Sequence, residues 1–187
     1  MAVTNSTFQI SNEALIEKYL SEPLFFYLLE KLDLKDNPTL AKIYIAECLK
    51  MLLLIPQSKG NAPISREVDE VWHLLILETR QYEELCQKLP NKKFIHHDSV
   101  TFKKYVDSKA TIDRATDLKN RLSWFASYYV NFGPFTPESI SCWPLGLEIM
   151  KDKNISLDQL NQLFAKLKVS EKPQEFSPKS LESSLEN

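Results

Sequence analysis

Three glycines in 187 residues leave this chain few ways to turn tightly. Sheet proteins spend glycine at hairpins and bulges, and phosphate-binding loops need it where backbone approaches the ligand. The count argues against both. Helices need little glycine. An apolar fraction of 43%, with ten Phe, seven Tyr and three Trp, is enough to fill a core. A chain of this length forms one well-packed domain more readily than two.

Helical spacing recurs along the chain. Ser11 reads as a cap before Leu15, Ile16, Tyr19 and Leu20. Pro23 opens a second helix carrying Phe25, Phe26, Leu28, Leu29 and Leu32. Asn37-Pro38 opens a third, with Leu40, Ile43, Tyr44, Ala46, Cys48, Leu49, Leu52 and Leu53. Pro56 and Pro63, with Gly60 and Asn61 between them, mark a loop over residues 57–63. Ser65 then caps the longest amphipathic stretch, read as one helix over residues 66–88. Val100, Phe102, Tyr105 and Val106 suggest a shorter helix, and residues 112–132 a long one. Gly133 to Pro137 is a tight loop, followed by an irregular stretch through Trp143-Pro144 and a last helix capped by Ser156. The reading is an all-α fold: a single compact domain of about six to eight helices over residues 8–169. A Ser-, Glu-, Lys- and Pro-rich tail over residues 170–187 is expected to be disordered.

A formal charge of −2 argues against a general nucleic-acid binder. Lys92-Lys93 and Lys103-Lys104 read as solvated surface. Cys48, Cys86 and Cys142 form no CxxC pair, which suits a reducing compartment. The N-terminal residues lack an apolar signal run, and Met51 to Ile55 is too short to span a bilayer. A cytoplasmic protein is expected. The Glu-rich tail faintly resembles signals for secretion without a signal peptide, so that route is the alternative.

All three histidines lie within 25 residues, in Asp69-Glu-Val-Trp72-His73 and Phe94-Ile-His96-His97. Imidazole is the usual side chain for binding transition metals and moving protons near neutral pH. Asp69 and His73, four apart on a helix, can converge on one ligand. His96 or His97, returning after Pro90, could complete a site for Zn, Fe, Mn or Ni. Adjacent histidines diverge, so one of the pair is expected to bind and the other to sit outside. Cys86 lies about 20 Å beyond His73 along a straight helix and on another face. It joins only if that helix ends or bends, or if it meets His96 or His97 as a Cys–His nucleophile pair. No HExxH zinc-protease signature is present.

Ser65-Arg-Glu-Val-Asp69-Glu-Val-Trp72-His73, Thr79-Arg-Gln-Tyr82, Cys86 and Phe94-Ile-His96-His97 together resemble the domain of glycine-rich domain-containing protein-like sequences. A later block, Tyr129 to Pro137 with Trp143-Pro144, is similar to that family's second element. Ser99 stands where the family often has Pro, Lys92-Lys93 where it often has Gly, and the glycine-rich region of its plant members is absent. The resemblance implies that Asp69, Trp72, His73, Thr79, Tyr82, Cys86, His96 and His97 form one unit; it implies no reaction.

Three functions compete. The first is a helical domain holding a divalent metal through Asp69, His73 and His96 or His97, for a structural or hydrolytic role. The second is a protein-interaction module in which the histidines and Trp72 brace the long helix, its partner an unknown protein or small molecule. The third is a thiol-dependent enzyme built on Cys86.

Overall fold

A computed structural model describes residues 10–34, 36–58, 60–97 and 114–166. Among these the chain forms nine α-helices and no strand. They are α1 (Asn12–Tyr19), α2 (Glu22–Lys31), α3 (Pro38–Leu54), α4 (Arg66–Leu77), α5 (Thr79–Lys88), α6 (Arg114–Phe132), α7 (Pro137–Ser141), α8 (Pro144–Lys153) and α9 (Leu157–Lys166). The all-α expectation holds. The short helix expected around Val100 to Val106, and the tail over 170–187, lie outside the described residues.

Most of these helices begin where the sequence offers a side-chain acceptor for their orphan N–H groups; α5 and α8 do not. Ser11 Oγ accepts from the Ala14 amide at 3.2 Å, Ser21 Oγ from Leu24 at 3.4 Å and Asn37 Oδ1 from Leu40 at 3.1 Å. Ser65 Oγ does the same for Val68 at 3.4 Å. At α9 the bonds are reciprocal: the Gln159 amide donates to Ser156 Oγ and the Ser156 amide to Gln159 Oε1.

Helix α3 is the axis of the molecule. It packs against α1, α2, α4, α6 and α7, and residues 45–54 are all buried. A second part of the core is aromatic. Tyr128 of α6 stacks on Phe135 with ring centroids 4.0 Å apart, Phe125 stacks on Phe164 of α9 at 4.8 Å, and Trp143 packs edge-on to both Tyr128 and Phe125. Gly146 lets α8 approach this cluster; a Cβ there would stand 3.2 Å from the Phe125 ring and closer still to the end of Ile140.

Two expectations are corrected. Residues 66–88 are not one helix: Glu78, at φ −88° and ψ 62°, ends α4 and starts α5. Residues 72 and 82 of a straight helix would be separated by about 15 Å along its axis. After the break the Trp72 indole N–H donates to the Tyr82 hydroxyl at 2.8 Å. That bond, and the complete burial of Tyr82, offset the helical bonds lost at Glu78. The stretch expected to be irregular near Trp143 is also helical, forming α7 and α8. Both start with proline in the first turn, where its missing N–H costs nothing.

Candidate functional site

Helix α4 presents Asp69 and His73 one turn apart. The His73 Nδ1–H donates to the Asp69 carbonyl oxygen at 2.7 Å, because a carbonyl can only accept, and this leaves Nε2 as the basic nitrogen. The same Nδ1 lies 3.4 Å from Asp69 Oδ2. His97 arrives from the segment after α5. Its Nε2–H donates to Asp69 Oδ1 at 3.0 Å. Its ring lies 4.3 Å from that of His73 and edge-on to Trp72 at 4.4 Å, centroid to centroid.

One ligand atom from each of Asp69, His73 and His97 therefore lies within 4.8 Å of the others. His96 is not in this group. It is exposed, with its ring against Phe94 at 4.9 Å. Of the two adjacent histidines, the fold turns one toward α4 and the other to solvent. Side-chain exposure is 53% for His73, 35% for Asp69 and 13% for His97, so the group is open on one side.

The donor set can be compared with what an ion requires. Ligands about 2.1 Å from a metal are separated by about 3.0 Å at a right angle and about 3.4 Å at a tetrahedral one. The Asp69–His97 separation of 3.0 Å suits such an edge and is also the length of a hydrogen bond. The His73 Nδ1 bond to a backbone carbonyl is the kind of outer contact that orients a ligating imidazole.

The cysteines stand apart. Cys48, Cys86 and Cys142 are all fully buried and free. Burial, helped by the Asp69 charge, raises the Cys48 thiol; burial, helped by the Glu47 carboxylate, pushes Cys142 up to about 12. The break at Glu78 is the bend that could have brought Cys86 to the histidines, yet Cys86 stays outside the Asp69–His73–His97 group. With no exposed surface it offers no nucleophile to a substrate.

A second polar constellation escaped the sequence reading. Glu47, completely buried on α3, accepts from Lys50 Nζ at 2.8 Å and the Tyr128 hydroxyl at 3.0 Å through Oε1. Through Oε2 it accepts from the Trp143 indole at 2.8 Å. Lys50 also donates to the Tyr128 oxygen and lies over the Tyr128 and Phe132 rings. The available signal was two charges three apart inside the otherwise apolar run from Ala46 to Leu54. This network braces α3, α6 and the loop before α8.

With this geometry in place, one comparison is decisive. The UCP032817-like family matches residues 13–126, which is 114 of 187 residues. The chain belongs to the UCP032817-like family. This corrects the resemblance to glycine-rich domain-containing protein-like sequences: blocks from Ser65 to His97 and from Tyr129 to Pro144 suggested that kinship, whereas the family match, over residues 13–126, is to the UCP032817-like family. The UCP032817-like segment contains Asp69, His73, His97 and the whole of α3, and ends within α6 before Trp143. It brings kinship without a reaction. Neither a curated protein nor a solved structure matches the chain.

Among the described residues no helix is long and apolar enough to cross a membrane.

Proposed function

We propose that this helical domain binds a divalent transition metal through Asp69, His73 and His97. The observation that supports the reading is the convergence of two imidazoles and a carboxylate, from two separate segments, to within 4.8 Å. Imidazole with carboxylate suits Zn, Fe, Mn or Ni, and three protein ligands leave coordination positions open on the solvent side. An ion with open positions can polarise a bound water or substrate oxygen. Asp69 and His73 supply the rigid half from α4, and His97 closes the site.

A second reading rests on the same contacts. The His97–Asp69 hydrogen bond already ties the segment after α5 to α4, and the group could serve that brace alone. Calorimetric titration of untagged protein with Zn²⁺ separates the two. Metal binding predicts one site whose affinity falls at least about tenfold in His73→Ala, His97→Ala and Asp69→Asn, and stays at the wild-type value in His96→Ala. Absence of uptake by the wild type, or equal losses in the His96 and His97 variants, contradicts the assignment. A thiol mechanism on Cys86 has no support from its burial.

A further inference from the structure

We infer that Tyr82 and Trp72 are positioning residues for His97: a hydroxyl-bridged clamp holds the segment after α5 so that its second histidine, and not its first, meets Asp69 and His73. The consequence for metal uptake rests on the reading above, and the clamp itself does not.

The Tyr82 hydroxyl lies between two partners of fixed direction. It accepts from the Trp72 indole N–H at 2.8 Å and donates to the Ile95 carbonyl at 2.7 Å. An indole nitrogen only donates and a carbonyl only accepts, so the hydroxyl proton has one place to go. Helix α4, helix α5 and the returning segment are thereby joined at a single atom. Trp72 also touches the far end of the clamp, where its ring meets His97 edge-on at 4.4 Å.

Burial alternates along the segment: Phe94 and His96 are exposed, Ile95 is buried and His97 is half-buried. A slip of one residue would bring His96 to Asp69 and expose Ile95. Holding the Ile95 carbonyl sets the register two residues before His97. Phe94, edge-on to the Tyr82 ring at 5.2 Å, covers the clamp from outside. The break at Glu78 brings the Tyr82 hydroxyl within reach of Trp72, which gives that break a role in the site.

Tyr82→Phe removes the hydroxyl alone. Two readouts apply: imidazole ¹H–¹⁵N spectra of the metal-free protein, and Co²⁺ titration followed by visible absorption. The wild type should show His97 as a single tautomer with its Nε2–H bonded to Asp69. The variant should show an averaged imidazole, and a Co²⁺ affinity about 10–100-fold weaker, approaching that of His97→Ala. An unchanged His97 signature together with unchanged Co²⁺ affinity overturns the clamp, since a merely structural hydroxyl would lower the unfolding midpoint and move neither. Should Tyr82→Phe not fold, Trp72→Phe carries the same test. It keeps an aromatic ring at position 72 and removes the indole N–H donor together with the five-membered ring, so a smaller shift of the same sign supports the clamp and none overturns it. If the wild type takes up no Co²⁺, the metal reading fails while the His97 spectra still decide the clamp.

Discussion

Glu47 has no exposed surface, and its hydrogen bonds bind three other side chains into the core. Removing the carboxylate in Glu47→Ala leaves the buried Lys50 ammonium without its counter-ion and the Trp143 indole N–H and Tyr128 hydroxyl proton without their acceptor. Breaking a buried pair in this way costs about 3–5 kcal/mol, a large share of a domain stability of about 5–15 kcal/mol. Urea unfolding checks this, and Lys50→Met should cost less because Glu47 keeps Tyr128 and Trp143. A loss below about 1 kcal/mol in Glu47→Ala would show that water reaches the network. The glycines show what single residues do disclose. Gly60 and Gly133 lie at φ +72° and +80°, in the left-handed region, and Gly146 sits where α8 nears Phe125. Their scarcity pointed to a helical fold. Glu47 was hidden for the opposite reason: charges at 47 and 50 have the spacing of a solvated helix face, and only the packing of α6 and Trp143 around them makes that face interior.

At the scale of elements, the starts were readable and the interruptions were not. Ser11, Ser65 and Ser156 are local signals, because a capping bond spans three residues. The break at Glu78 has no such signal, since neither glycine nor proline marks it and its compensation is a bond ten residues apart. Pro137 and Pro144 misled in the other direction, as proline ends one helix and begins the next with equal ease. Ser65 has two functions at the head of α4: its hydroxyl caps Val68, and its amide donates to the Cys142 carbonyl at 2.8 Å. Ser65→Ala removes only the first, so a loss of about 1 kcal/mol is expected, seen as a small drop in Tm. Metal affinity should not move with it, because the backbone bond to Cys142 still anchors the helix. Equal losses of stability and of metal binding would mean that the cap, and not the tertiary contacts, orients Asp69 and His73.

For the molecule as a whole, burial sets a sign for pH. Cys48, Cys142, Tyr82 and Tyr128 are all raised, with burial the first cause in each, and Tyr19 is pushed up to about 12 in the same way. Groups raised on folding stabilise fully below their unfolded values, and that contribution is lost as pH rises toward the folded ones. Thiols and phenols ordinarily titrate near 9.0 and 10.0. The urea midpoint should therefore fall from pH 9 upward and continue falling toward pH 12; a flat alkaline limb would mean the buried groups meet water. The candidate site was half visible from sequence. The α4 pair follows from helical spacing alone, whereas the choice of His97 over His96 depends on how the Tyr82 hydroxyl holds Ile95, which no spacing rule contains. The most direct test of the central claim is elemental analysis of untagged wild-type protein beside His73→Ala and His97→Ala. About one equivalent of a single transition metal in the wild type, lost from both variants, is the predicted result. No metal in the wild type, even after reconstitution with Zn, Fe, Mn and Ni, would contradict it and leave the three side chains as a brace between α4 and the segment that follows α5.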